Sequence, residues 1–169
     1  LVNSFKKVAV AQTSGELGEF RIAQYISDLL VNLRPALRRA KVETAVDCDE
    51  NLSVTTFPGS VSQIFTNLIM NSITHAFEPG SGGRISIAAR QEGSEIVFEY
   101  RDDGKGISEE VLPKIFDPFF TTARGRGGTG LGLHIVYNIV TQKLGGKISV
   151  ESEPGNGTAF FIRIPTLTR

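Results

Sequence analysis

The stretch "RISIAARQEGSEIVFEYRDDGKGI", residues 84–107, decides the predicted fold of this chain. Apolar and polar residues alternate over 84–90 and again over 95–102, which is typical of β-strands that bury one face. A short turn separates the two runs, so we expect neighbouring antiparallel strands and not a strand–helix–strand unit. This arrangement favours an α+β two-layer sandwich, with helices on one face of a mostly antiparallel sheet.

The rest of the chain supplies further strands and amphipathic helices. Strands are predicted at 20–22, 41–46, 52–57, 147–152 and 158–164, with a turn at 47–51 and a hairpin at "PGNG", residues 154–157. The spacing of leucine and isoleucine predicts a helix around 26–37, which Pro35 should kink or in which it should lie near the end. Ser60 and Gln63 form a candidate capping box for the next helix. The pattern therefore predicts about three helices and six or seven strands.

Length, composition and charge limit the classes to which the chain can belong. Its 169 residues suit one domain, and its 18 basic residues balance 18 acidic ones, so no net field favours nucleic acid as a partner. The single cysteine, Cys48, excludes an internal disulfide and a cysteine zinc site. No apolar run approaches the roughly 20 residues that cross a bilayer. Because the chain begins at Leu1 and not at a methionine, we expect a cytoplasmic fragment of a parent that can be membrane-anchored.

A carboxylate ends the buried face of the second central strand. The period of two places Asp102 on one face with Ile96, Phe98 and Tyr100, and a carboxylate there is costly without hydrogen-bond donors. One interpretation makes Asp102 the cap of a tight turn. The other makes it the acceptor for an exocyclic amine such as adenine N6, because an ionised aspartate accepts and cannot donate.

A line of polar side chains follows the predicted helix over residues 60–77. Gln63, Asn67, Asn71 and His75 are each four residues apart, so they share one side of the helix. Carboxamides and an imidazole suit the wall of a cavity, and an asparagine oxygen can complete a Mg²⁺ shell that phosphates and water otherwise fill. Alternatively, these asparagines bond nearby backbone, and His75 lies at a rim without a function.

The tract "GRGGTGLGLH", residues 125–134, raises the possibility of a phosphate site. Gly125, Gly127 and Gly130 fit a dinucleotide fingerprint, which requires an apolar strand leading into its first glycine. The preceding "IFDPFFTTAR" contains Pro118 and does not alternate, so the dinucleotide interpretation is rejected. By itself the tract indicates a phosphate site no better than a mobile loop.

Five motifs in order are more specific than any one of them. "NLIMNSITHAF", "DDGKGI", "FDPFF", "GGTGLGL" and "GNGTAF" closely resemble the N, G1, F, G2 and G3 boxes of the catalytic ATP-binding domain of sensor histidine kinases. The resemblance covers about residues 20 to 165. It implies the Bergerat (GHKL/HATPase) fold, an α+β two-layer sandwich whose mixed, mostly antiparallel five-stranded sheet is covered on one face by three helices. It also implies that ATP and Mg²⁺ are the cofactors.

The same resemblance assigns roles to individual residues. Asn71 would hold Mg²⁺, Asp102 would bind adenine, and His75 takes a phosphate-facing position where a lysine is often found, so that its contact would depend on pH. The loop before the G2 glycines would act as a lid. The remaining nucleotide-binding residues implied are Gly104, Gly106, Ile107, Phe119, Thr121, Gly128, Thr129, Gly130, Leu131, Gly132, Leu133 and Thr158.

The reaction implied is phosphoryl transfer to a histidine. Related gyrases, chaperones and mismatch-repair ATPases carry a glutamate one helical turn before the Mg²⁺-binding asparagine, and this chain carries Asn67 there, which cannot act as a general base. The phosphoacceptor would lie on a missing dimerisation domain, and a response regulator would act downstream. Alternatives are a serine-directed kinase of the anti-sigma type and a nucleotide-binding module without activity.

The resemblance also divides the chain. Residues 1–14 resemble the tail of a second dimerisation helix, residues 15–19 form a linker, and residues 20–169 form the catalytic domain. We expect the isolated fragment to be monomeric and to bind ATP or ADP.

Overall fold

The computed structural model describes residues 15–123, 125 and 128–167. Its main element is a five-stranded sheet. The strands are β2 (Val42–Cys48), β4 (Gly83–Glu92), β5 (Glu95–Asp102), β6 (Lys147–Ser152) and β7 (Thr158–Pro165). They lie in the order β2-β4-β5-β7-β6. Strands β2 and β4 are parallel, and the other neighbours are antiparallel, so the predicted mixed sheet is confirmed. The predicted dimerisation-helix remnant at 1–14 and Gly127 of the glycine tract lie outside the described residues.

A second, two-stranded sheet joins β1 (Gly18–Arg21) to β3 (Ser53–Thr56) in antiparallel pairing. The strands predicted at 41–46 and 52–57 both form, but they belong to different sheets. On its other side β3 meets the end of the described chain, because the N–H of Leu167 donates to the Thr55 carbonyl at 3.0 Å and the N–H of Thr55 donates to Thr166 Oγ1 at 3.3 Å.

Three α-helices cover the main sheet, as predicted. They are α1 (Ile22–Ala40), α2 (Pro58–Asn71) and α3 (Gly132–Asn138). Helices α2 and α3 continue directly into π-helical turns at Ser72–Ala76 and Ile139–Lys143, and a 3₁₀ turn lies at Leu112–Lys114.

One of the sequence expectations about helix ends needs correction. Helix α1 runs through Pro35 to Ala40 and is closed by the left-handed Lys41, whose N–H donates to the carbonyl of Arg38 at 3.1 Å. The predicted capping box of Ser60 and Gln63 is wrong, because α2 begins earlier, with Pro58 in its first turn, and Phe57 makes no side-chain cap. Proline suits that position since its missing N–H would have no helical partner.

The core lies between the sheet and the helices. The alternation of β5 is confirmed, since Ile96, Phe98, Tyr100 and Asp102 are all buried. Phe65 of α2 packs edge-on against Phe98, with ring centroids 5.2 Å apart. Burying a side chain of this size stabilises the fold by about 1.5–3 kcal/mol. In the part of the chain that the structure describes, no helix is both long and apolar enough to cross a membrane.

Candidate functional site

A cavity of about 460 Å³ opens between α2, the turn after β5 and the segment that leads into α3. This volume lies within the range of small-molecule sites, roughly 300–1,000 Å³. Most of the predicted site residues line it, although they come from distant parts of the chain. They are Asn67, Asn71, His75, Asp102, Gly106, Ile107, Thr121, Gly128, Thr129, Gly130, Gly132, Leu133 and Thr158.

The polar line on α2 reaches the cavity along most of its length. Asn67 and Asn71 line the wall, whereas Gln63 is exposed and lies outside it. The Nδ2 atom of Asn67 is buried and has no hydrogen-bond partner among the described residues. An unpaired buried donor costs about 1–3 kcal/mol. The amide group must turn before this donor can reach an acceptor on a ligand in the cavity.

The π-helical turn after α2 carries the line onward to His75. Its Nδ1 lies 3.2 Å from Thr122 Oγ1, which joins the end of the site helix to the loop before the glycine tract. Burial, followed by the positive charge of Lys105, lowers the pKa of His75. The imidazole is therefore neutral at pH 7 and becomes a cation only at a pH below its ordinary range. Lys105 is the one lysine or arginine on the cavity wall among the described residues.

Asp102 both caps a turn and lines the cavity, so the two interpretations of this residue are compatible. Oδ1 accepts the N–H of Gly104 at 3.0 Å, and Oδ2 accepts the hydroxyl of Ser72 at 2.8 Å. Its residue surface is 7% exposed. Burial raises the pKa of the carboxyl group, while the hydrogen bonds from Ser72, Gly104 and Thr158 act in the opposite direction.

The two glycines after Asp102 stand where neighbouring parts of the chain leave no room for a side chain. A Cβ on Gly104 would lie 2.5 Å from the Cβ and the carbonyl oxygen of Ala76. At Gly106, which has a φ of +73°, it would lie 1.9 Å from the Glu153 carbonyl oxygen. Gly106 still borders the cavity, but Gly104 does not. Of these two implied nucleotide contacts, the structure therefore brings Gly106 to the cavity wall and not Gly104.

Phe119 and Leu131 are the other predicted contacts that the structure does not bring to the cavity wall. Phe119 has a φ of +64° and is 65% exposed, and its backbone approaches to 2.4 Å of the place where a Cβ on Gly130 would stand. Leu131 precedes α3 and donates its N–H to Thr129 Oγ1 at 3.3 Å. Both residues shape the loop before α3.

Several wall residues were missed by sequence reasoning. Lys105 carried the clearest signal, because it stands between the two glycines of "DDGKGI". The segment after Ile107 shows no clear periodicity, which explains the missed apolar residues there. The missed residues are Met70, Thr74, Ala76, Lys105, Ser108, Val111, Ile115, Phe120, Thr122 and Phe160.

The glycine tract is not preceded by a strand. The 3₁₀ turn and irregular backbone lead into it, and α3 begins at Gly132, with Gly130 at a φ of +70°. The rejection of a dinucleotide fingerprint is therefore confirmed. No group of three or more histidine, cysteine or acidic residues in the described ranges could hold a metal ion. A cation in this cavity would depend on neutral oxygens such as that of Asn71 and on the oxygens of a ligand.

Comparison with known proteins agrees with this geometry. A family model described as histidine kinase-, DNA gyrase B-, and HSP90-like ATPase matches residues 58–168. The sensor kinase CckA of Brucella abortus is 37% identical over 161 residues, which cover 84% of this chain and 17% of CckA. The chain thus spans a small part of this relative's length.

Solved structures give the same picture. The nucleotide-free catalytic domain of the histidine kinase ThkA superposes with a TM-score of 0.77 and 32% identity, covering 89% of this chain and 96% of that domain. ThkA in complex with the response regulator protein TrrA gives a TM-score of 0.73 and 26% identity, covering 98% of this chain and 48% of that one.

Proposed function

Because the chain belongs to the histidine kinase-, DNA gyrase B-, and HSP90-like ATPase family and is a histidine-kinase catalytic domain, we propose that it binds Mg-ATP in the cavity and transfers the γ-phosphoryl group to a histidine of its parent protein. The buried carboxylate of Asp102 carries the proposal. It is the one acidic side chain on the wall among the described residues, and as an acceptor it matches the exocyclic amine of adenine.

The residues around the cavity fit a nucleotide with a divalent cation. Asn71 would supply a neutral oxygen to Mg²⁺, and phosphate oxygens would complete the shell. Asn67 lines the same wall, and its amide would turn to donate to the same phosphates. When bound, Mg²⁺ would neutralise charge on the transferring phosphoryl group. Lys105 and the backbone at Gly128 and Gly130 would lie along the remaining wall.

Asn67 favours transfer to a side chain over hydrolysis. A general base must accept a proton from water, and a carboxamide cannot do so. The acceptor histidine is proposed to lie on a dimerisation and phosphotransfer domain, with a response regulator as the downstream partner. The complex of ThkA with TrrA supports that partner class by similarity. We place the domain in the cytoplasm, where ATP is available.

Phosphoryl transfer is tested by adding a dimerisation domain that carries an acceptor histidine, together with labelled ATP. We expect acid-labile phosphate on the added domain and little on this chain. Its two histidines are poor acceptors: His75 contacts Thr122, and both ring nitrogens of His134 are engaged, at 3.1 Å from the Phe116 carbonyl and 3.1 Å from Asn138 Nδ2. Stoichiometric phosphate on His75 or His134 would contradict the proposal. Acid-stable phosphate on a serine substrate would favour the anti-sigma type of kinase.

Substitution of Asn67 by glutamate tests the absence of a base. Asn67→Glu places a carboxylate where the hydrolysing relatives carry one, yet we expect at most a small rise in phosphate release, because the attacking water must also be positioned. Release is measured with Mg-ATP and no acceptor domain. Asn67→Ala is the control for loss of the amide. A high wild-type rate that disappears in Asn67→Ala would show that Asn67 supports hydrolysis.

A further inference from the structure

We infer that Ser72 is a positioning residue for base recognition. Ser72, linked to Tyr100, faces one oxygen of the Asp102 carboxyl group. As a result, the lone pair that Asp102 presents to the cavity remains a hydrogen-bond acceptor whether the carboxyl group is ionised or protonated. The site would then remain selective for a purine that bears an exocyclic amine at position 6. This inference rests on the proposed nucleotide function of the cavity.

Three buried groups form a continuous chain behind the cavity wall. Ser72 Oγ lies 2.8 Å from Asp102 Oδ2 and 2.8 Å from the Tyr100 hydroxyl, which itself lies 3.1 Å from the Leu68 carbonyl. Ser72 is 1% exposed and Tyr100 is fully buried. Ser72 and Tyr100 do not line the cavity, so these hydrogen bonds affect a ligand only through Asp102.

When Asp102 is ionised, the number of available protons fixes which group donates in each hydrogen bond of this chain. A carboxylate cannot donate, so the single proton of Ser72 must go to Oδ2. The contact between Ser72 and Tyr100 then requires the phenol to donate. Burial raises the pKa of Tyr100, which keeps this phenol a neutral donor. Its proton is shared between Ser72 Oγ and the Leu68 carbonyl.

The hydrogen bonds can also run in the opposite direction, with each donor becoming an acceptor. If Asp102 gains a proton, Oδ1 is already engaged as the acceptor for the N–H of Gly104, whereas Oδ2 faces a hydroxyl that can turn and accept. The proton on Oδ2 then donates to Ser72, Ser72 donates to Tyr100, and Tyr100 donates to Leu68. Each proton of the hydrogen-bond chain has one acceptor, and because the carboxyl proton points to Ser72, the lone pair that faces the cavity still accepts from a ligand.

Other ionisable groups surround Asp102, and they act equally on any nucleotide. Burial, and to a smaller extent the charge of Asp103, raises the pKa of Asp102, and the charge of Asp102 in turn helps to raise the pKa of Tyr100. His75 and Lys105 share the cavity with it. On the outer face of the sheet its neighbours are Arg84, Arg101, Glu151 and Glu153.

The experiment compares ADP with inosine diphosphate, which carry the same phosphates and differ at positions 1 and 6 of the purine. Calorimetric titration with Mg²⁺ at pH 7.5 and pH 5.5 gives the ratio of the ADP affinity to the inosine diphosphate affinity, from which the titration of the phosphates and of His75 cancels. We expect the wild-type ratio to change less than about twofold. In Ser72→Ala the pKa of Asp102 rises further and its proton can face the cavity. The ratio of ADP affinity to inosine diphosphate affinity of this variant should therefore fall by roughly fivefold or more at pH 5.5.

Two further variants complete the design. Ser60→Ala removes another buried hydroxyl, from the helix that leads into Ser72; no hydrogen-bond partner for it lies within the described part of the chain, and the variant should behave as the wild type. Tyr100→Phe removes the hydroxyl at the far end of the hydrogen-bond chain and should give a smaller fall in the affinity ratio at pH 5.5. This variant serves as the test if Ser72→Ala does not fold. An unchanged ratio in Ser72→Ala, or an equal fall in the wild type, would overturn the inference alone. Failure of the wild type to bind ADP would instead overturn the proposed function.

Discussion

ADP is expected to bind this chain roughly 5- to 150-fold more tightly than GDP, because a mismatch at Asp102 leaves a buried polar group unpaired. Guanine presents O6 where adenine presents its amine, so two acceptors would face each other across the cavity. Asp102 cannot move away readily, since Ser72 and Gly104 hold both of its oxygens. The measurement is calorimetric titration of both nucleotides with the wild type.

Two substitutions of Asp102 separate charge from shape. Asp102→Asn keeps the shape and adds N–H groups that can donate towards O6, so it should lose affinity for ADP and narrow the gap to GDP. Asp102→Ala should weaken ADP binding without favouring GDP. Circular dichroism confirms folding of each variant. Equal ADP and GDP affinities in the wild type, or an Asn variant that behaves as the wild type, would reduce Asp102 to a turn cap.

Asn71→Ala should weaken Mg²⁺-dependent nucleotide binding by at least about tenfold, the lower end for changes around a metal site. The fold should persist, because the helix keeps its apolar face of Phe65, Leu68 and Ile69. Nucleotide affinity is measured with Mg²⁺ and again with a chelator, and the loss should appear only with Mg²⁺.

Gln63→Ala provides the matched control for Asn71. Gln63 belongs to the same polar line on α2 but is exposed and does not border the cavity. Its removal should leave both affinities unchanged. If Asn71→Ala bound nucleotide as the wild type does, with and without Mg²⁺, Asn71 would serve only the helix.

Periodicity predicted the parts of the site that lie along a single element. The alternation of β5 placed Asp102 on the buried face, and the spacing of four on α2 placed Asn67 and Asn71 together. Both predictions follow from backbone geometry, which repeats regularly within a strand or helix. The overall sandwich followed in the same way, from the short turn between β4 and β5.

Contacts between elements could not be predicted in this way. Ser72 and Tyr100 lie 28 positions apart in the sequence, and no pattern within either element places their hydroxyls together. Gly104 was predicted to contact the nucleotide. The need for a glycine there comes instead from the close approach of Ala76, which is a neighbour in space and not in the sequence. Similarly, the strands at Val42–Cys48 and Ser53–Thr56 enter different sheets through their pairing with β4 and β1.

The short strand β3 has a mechanical consequence. β1 pairs with it where the chain enters the described fold, and Thr166 and Leu167 bond to it where the chain leaves. Helix α2, which carries Asn67 and Asn71, begins at Pro58, two residues beyond Thr56 at the end of β3. β3 therefore gives a displacement at either end of the described chain a short path, through a strand of four residues, to the site helix.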